Sequence, residues 1–207
     1  PITSPTELMR LKKLNIKQSR KLIEETIDSV NDLNKLANSL LKDSRYQHND
    51  LNKTDEVDIE KMVKKVIKKM EKRIKEKDID LSLKTKESAH IKGNERAVEE
   101  LITILLDNAI KFNERLGKIL ITIGNEKDNL VLKITNTGSG ISKKDLPFIF
   151  DRFYKSEKSR TKKENDGFGL GLSIAREIVM VHNGTIEATS ENTGNPLTTL
   201  TIKFPKK

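Results

Sequence analysis

Between residues 21 and 42 apolar side chains return at heptad spacing, with Ile23, Val30 and Ala37 at one seam position and Leu33 and Leu40 at the other. Leu22, Ile27, Leu36 and Leu41 widen the stripe beyond a two-stranded seam, to the width a four-helix bundle buries. Two antiparallel hairpins from two copies of the chain would make that bundle. Segment 6–14, with Leu8, Leu11 and Leu14, supplies the shorter helix, and Asn15 lies near the turn. From 44 to 55 the pattern lapses into polar residues, which predicts a dimerising helical hairpin over 1–48 and a second domain over 49–207.

In the second domain Ile59, Met62, Val63, Val66, Ile67, Met70 and Ile74 recur at helical spacing, and Ile79, Leu81 and Leu83 then alternate as a strand. Asn94 has the chemistry of an N-cap for a helix reaching Phe112, with Val98, Leu101, Ile102, Leu105 and Leu106 facing inward. Runs 119–123 and 130–134 flank a polar turn and predict a β-hairpin. After a loop rich in Gly, Ser and Lys comes a helix over 170–181, closed by Asn183 and Gly184, and then strands near 186–189 and 197–204. This order predicts an α+β, two-layer sandwich, one mixed sheet covered by helices on one face.

Composition narrows the chemistry. The 207 residues carry a net charge of +9, which raises a nucleic-acid surface as an alternative. Much of the excess sits in 61–77, where charge alternates around an amphipathic helix, and in 155–163; neither has interleaved aromatics, so nucleic acid is not expected as a partner. No apolar stretch is long enough to span a bilayer. With no cysteine and three scattered histidines, His48, His90 and His182, thiolate and zinc sites are excluded as expectations, and a reducing cytoplasm fits. The opening at Pro1, with neither an initiator Met nor a signal pattern, reads as a fragment.

Three segments could carry chemistry. In the first, Leu105-Leu106-Asp107-Asn108-Ala109-Ile110-Lys111-Phe112, Asn108 is either a surface amide or, among apolar neighbours, an oxygen donor for Mg²⁺. The second, Thr135-Asn136-Thr137-Gly138-Ser139-Gly140-Ile141, is either a turn or a place where backbone approaches a flat ligand whose edge Asn136 reads. The third, Asp166-Gly167-Phe168-Gly169-Leu170-Gly171-Leu172, leads into a helix whose N–H groups can hold phosphate oxygens; its spacing is neither Rossmann nor Walker.

Together and in this order, the three resemble the N box and the two glycine boxes of sensor histidine kinases, in the ATPase superfamily shared with gyrase and heat-shock chaperones. Leu146-Pro147-Phe148-Ile149-Phe150-Asp151-Arg152-Phe153-Tyr154-Lys155 is similar to that family's F box, and Leu40-Leu41-Lys42-Asp43-Ser44-Arg45 to the end of its second dimerisation helix. The resemblance implies a Bergerat-type ATP fold, with ATP and Mg²⁺ as cofactors. Asn108 would bind the metal, while Lys111 and Phe112 contact phosphate and nucleotide. Asn136 would meet the adenine amine and Gly138, Gly140 and Ile141 shape its pocket. Tyr154, Gly167, Phe168, Gly169, Leu170, Gly171 and Leu172 complete the nucleotide-binding set, with Lys155 and Arg160 placed to neutralise the γ-phosphate. Phe150 and Phe153 would anchor the lid, and His182 would be structural.

Two positions depart from the family pattern. Asn136 stands where Asp is usual, and Ile104 stands four residues before Asn108, where a polar residue is usual. The resemblance implies an autokinase that passes phosphate from ATP to a histidine and then to a response-regulator receiver domain, in a homodimer joined by the hairpin, within a parent able to be membrane-bound. Ile104 gives weight to an alternative, a nucleotide-binding or phosphatase-biased module with weak kinase activity. The family acceptor lies in a His-Glu-Leu-Arg-Thr-Pro-like run. Pro1-Ile2-Thr3-Ser4 looks like the proline of that run and the residues after it, so the acceptor is expected five residues before Pro1.

Overall fold

The structure, a computed structural model, describes residues 55–86, 89–156, 168–192 and 194–206, together with Ile23, Thr26 and Ile27. The chain divides into two compact units, Pro1–Leu41 and Lys42–Lys207. Of the expected hairpin only Ile23, Thr26 and Ile27 fall among the described residues; all three are helical, and the two isoleucines are 59% and 53% exposed.

In the second unit β1 (Asp55–Asp58) leads into α1 (Ile59–Glu76), whose N-terminus is capped by Asp58 accepting the Lys61 N–H at 3.0 Å. Next come β2 (Asp80–Thr85), β3 (His90–Gly93) and α2 (Glu95–Lys111), the last capped by Asn94, which accepts the Ala97 N–H at 3.0 Å. Strands β4 (Lys118–Glu126) and β5 (Asn129–Thr137) form the expected hairpin. A 3₁₀ turn, Leu146–Phe148, lies in the loop before α3 (Gly171–Val181), and β6 (Thr185–Glu191) and β7 (Leu197–Pro205) follow.

The main sheet has the order β2-β4-β5-β7-β6, with β2 parallel to β4 and every other pair antiparallel. That single parallel pair demands a crossover, which β3 and α2 provide. Helix α2 packs on α1 and α3 and against β5, so the helices cover one face. The covered face is built in rows. Leu83, Ile121, Ile134, Leu200 and Ala188 lie side by side, and Ile121, Ile134 and Leu200 are buried. Each aliphatic side chain fully withdrawn from water contributes about 1.5–3 kcal/mol. Alternate residues such as Thr122, Lys133 and Thr201 occupy the open face, as the period of two requires.

Strands β1 and β3 were not anticipated: the sequence pattern assigned no element to 55–58 or to 90–93. They pair antiparallel as a ribbon separate from the main sheet, with Val57 opposite Ile91. Each four-residue strand contributes one buried aliphatic side chain, too little for periodicity to register.

Several basic residues of α1 are engaged. Lys65 and Lys69 both bond Glu99 of α2, the former at 2.7 Å, and Arg73 pairs with Asp107. Hydrogen bonds from Lys65 and then Lys69 hold the Glu99 carboxyl below the usual carboxylate range, and the same bond raises Lys65. Lys64 and Lys75 pair within the helix with Glu60 and Glu71. This is a solvated face whose positive charge is partly offset by acidic neighbours.

Candidate functional site

The last turn of α2 carries Asn108, Lys111 and Phe112, all half-buried. The Phe112 N–H closes the helix on the Asn108 carbonyl at 3.0 Å, and Lys111 Nζ lies 5.5 Å from the centre of the Phe112 ring. Ile104 is one turn back on the same face as Asn108. A β-carbon on Gly171, the first residue of α3, would stand 3.4 Å from Ile104 Cγ2, so the departure from the polar pattern has a packing use where the two helices meet. The end of α2 is also held from outside. Lys77 Nζ donates to the carbonyls of Ile110 at 3.0 Å and Lys111 at 3.1 Å, groups a helix C-terminus otherwise leaves orphaned.

The Asn136 segment meets this helix end directly. Asn136 extends the covered face beyond Ile134 and lies between Ile119 and Thr198 in the sheet, 7% exposed, an amide where the row would otherwise hold an aliphatic residue. Its Nδ2 donates to the Thr137 carbonyl at 2.7 Å, which leaves its oxygen as the accepting end. Gly138 then turns with φ +148°, and a β-carbon there would lie 2.1 Å from the Phe112 carbonyl oxygen. No side chain fits, so the first glycine segment rests on the backbone of the Asn108 segment. Ile141 is pinned at both backbone groups: its N–H donates to Ser190 Oγ and its carbonyl accepts from Asn192 Nδ2, each at 2.8 Å. Asn192 also fills the space beside Gly140.

The aromatic run frames the other side. Tyr154 donates its hydroxyl to Asp145 at 2.6 Å, Asp145 accepts from Ser142 at 2.7 Å, and the Phe148 and Tyr154 rings lie 5.9 Å apart. The Tyr154 hydroxyl is thus committed to Asp145. Either side of the undescribed segment, residues 153 and 169 meet, with the Phe153 N–H donating to the Gly169 carbonyl at 3.0 Å. Gly169 has φ +73°, and a β-carbon on it would lie 2.6 Å from the Tyr154 carbonyl oxygen. Phe150 is half-buried, but Phe153 is 55% exposed at φ +64°, so it does not anchor the lid by burial; Leu170, on the far side of the undescribed segment, is buried.

Lys155, Phe168 and Leu172 are half-buried, and Gly171 is exposed at the start of α3, where Leu170 provides no side-chain cap. The first N–H groups of that helix have no side-chain acceptor from the N-cap, the arrangement that receives phosphate oxygens. Arg160 and Gly167 lie outside the described residues. His182 is structural: its Nε2 accepts the Asn94 N–H at 3.1 Å, so Nδ1 carries the proton and donates to the Ile178 carbonyl at 2.7 Å. Sequence reasoning missed Asn113, Lys77, Ser190 and Asn192, whose partners are set by folding. Only the run 113–117 with its Asn and Gly, directly after Phe112, hinted at a shaped turn.

Residues 93–207 match the family described as histidine kinase-, DNA gyrase B-, and HSP90-like ATPase. The chain belongs to that family. Within it, the signal transduction histidine-protein kinase ArlS of Staphylococcus epidermidis is 37% identical over 183 residues, covering 87% of this chain and 39% of the relative. The chain therefore spans about two-fifths of that curated relative's length. The histidine kinase AdeS of Acinetobacter baumannii has a TM-score of 0.68 at 26% identity, covering 94% of this chain and 87% of that one. Histidine kinase ThkA in complex with response regulator protein TrrA gives 0.69 at 22% identity, over 98% of this chain and 56% of that one, a likeness of fold. This ATPase domain is thus of the histidine-kinase kind, and ATP is the nucleotide its family membership implies.

The site's construction agrees with that nucleotide. Gly138 joins the face bearing Asn136 to the helix end bearing Lys111, and the start of α3 reaches the same helix beside Ile104. The Asn136 amide oxygen, the Lys111 ammonium and the N-terminal N–H groups of α3 stand on three elements brought together.

Proposed function

We propose that the chain binds Mg²⁺-ATP between the end of α2, the Asn136 turn and the start of α3, and serves as the catalytic core of a sensor kinase that passes the γ-phosphoryl group to a histidine and thence to a response-regulator aspartate. The observation that carries this reading is the contact of Gly138 with the Phe112 carbonyl, which makes the base-reading and phosphate-reading segments one surface. Asn136 accepts from the adenine amine, and Gly140 and Ile141 line the base beside it. Lys111, Lys155 and Arg160 offset phosphate charge, and Phe112 contacts the nucleotide. Gly167, Phe168, Gly169, Leu170, Gly171 and Leu172 present backbone to the phosphates.

Asn108 is the oxygen donor suited to Mg²⁺, a hard cation that accepts amide oxygens and would supply charge neutralisation at the phosphates when bound. The protein's own contribution is positioning and electrostatics. A homodimer through the helical hairpin is supported by Ile23 and Ile27, four apart on a helix and both more than half exposed in a single chain. A response-regulator receiver domain as partner is supported by the likeness to the ThkA complex. Among the described residues no helix is long and apolar enough to cross a membrane. We place this core in the cytoplasm and any membrane anchor in the remainder of a longer, ArlS-like parent.

Radiolabelled ATP tests the proposal. Residues 1–207 are expected to bind ATP and gain no label on His48, His90 or His182; both ring nitrogens of His182 are engaged in the core. Adding about fifteen residues that end in His-Glu-Leu-Arg-Thr, roughly four helical turns, ahead of Pro1 is expected to yield acid-labile phosphate on the new histidine. Label on one of the three existing histidines, or none on an extended chain that binds ATP, would contradict the autokinase reading.

A further inference from the structure

Directly beyond Phe112 stands Asn113, a residue outside every segment so far assigned to the nucleotide. It is 6% exposed, and its amide is used in three directions. The oxygen accepts from the Glu114 N–H at 3.0 Å and from the Thr137 hydroxyl at 2.7 Å, while Nδ2 donates to the Lys118 carbonyl at 3.1 Å. Thr137 Oγ1 in turn accepts the Lys118 N–H at 2.8 Å. The amide orientation follows from these partners, because the Glu114 N–H can only donate and the Lys118 carbonyl can only accept. Gly117 closes the loop over this group: a β-carbon there would lie 2.1 Å from Asn113 Oδ1.

The network spans three elements. Asn113 leaves α2, Lys118 opens β4, and Thr137 ends β5 between Asn136 and Gly138. The Asn113 carbonyl is also within 3.4 Å of Lys77 Nζ, the ammonium that caps α2. A buried polar network in which every member is satisfied fixes the relative placement of the elements it joins, because an alternative arrangement strands one of its groups.

We propose that Asn113 is a positioning residue for nucleotide binding, the side chain that locks the phosphate-facing end of α2 to the base-facing end of β5. The inference rests on the nucleotide reading above. Phe112 and Gly138 meet backbone to backbone, and the adjacent bond that the Thr137 hydroxyl donates to Asn113 Oδ1 fixes their register. A nucleotide that spans both halves needs that register, and a nucleoside held by the base-facing half alone does not.

The test compares ATP with adenosine, by calorimetric titration of the 207-residue chain and of Asn113→Ala and Thr137→Val. The second variant removes the same hydrogen bond from the other side and stands in should Asn113→Ala fail to fold. Each is expected to weaken ATP binding on the order of tenfold, the usual weight of a buried hydrogen bond with an orphaned partner, and adenosine by less than about threefold. The double variant is expected to lose less ATP affinity than the product of the two single losses, since the two share one interaction. If the unmodified chain fails to bind ATP, the nucleotide reading falls and the inference with it. If the unmodified chain binds ATP but the variants match it, or lose ATP and adenosine affinity equally, the inference alone is overturned.

Discussion

Alanine in place of Gly138 is expected to reduce ATP affinity by about 100-fold or more, the largest single effect the site allows, since forced backbone shifts cost roughly 1–3 kcal/mol before any ligand contact is lost. The methyl group would stand 2.1 Å from the Phe112 carbonyl oxygen, on a residue with φ +148°. Relief requires the end of β5 to withdraw from α2, which draws Asn136 and Gly140 away from Lys111 and Phe112. Gly124 provides the control, because a β-carbon there meets nothing within 4 Å. Titration calorimetry of both alanine variants decides the matter. Unchanged affinity in the Gly138 variant would mean that the two segments do not serve one ligand.

Asn108→Ala is expected to abolish the gain in ATP affinity that Mg²⁺ confers, a loss of about 10- to 100-fold in the presence of the metal, while leaving metal-free binding nearly unchanged. Its side chain is half-buried one turn before the end of α2, and alanine is the better helix former, so the fold is expected to survive. Titration with and without Mg²⁺ separates the roles. A variant that keeps the full Mg²⁺ dependence would remove Asn108 as metal ligand; one that loses metal-free binding equally would make it a nucleotide contact instead.

Much of the fold was legible because its elements carry local signals. The row of Ile121, Ile134 and Leu200 comes from strands long enough to show alternation, and α1 and α2 carry both caps and apolar stripes. The segments proposed to carry chemistry could be picked out for a related reason: Asn108 to Phe112 and Asn136 to Gly140 are contiguous in sequence. What escaped is non-local. Strands β1 and β3 become strands only by pairing with each other. Asn113 looks like any loop amide until Thr137, 24 residues on, arrives beside it. Lys77 looks like one more lysine in a basic helix until it meets carbonyls 33 and 34 residues ahead. Phe153 was expected to anchor the lid, but the structure joins residues 153 and 169 through backbone and leaves the Phe153 ring exposed.

The central claim is that α2, the Asn136 turn and the start of α3 form one site for Mg²⁺-ATP, and mapping amide resonances of the isotopically labelled chain during an ATP titration tests it most directly. The account predicts saturable shifts confined to residues 104–113, 136–142, 154–160 and 167–173, with the distant β4–β5 turn at Lys127 and the open sheet face at Lys133 and Thr201 undisturbed. Shifts concentrated on that open face, or an unperturbed spectrum at saturating Mg²⁺-ATP, would contradict it.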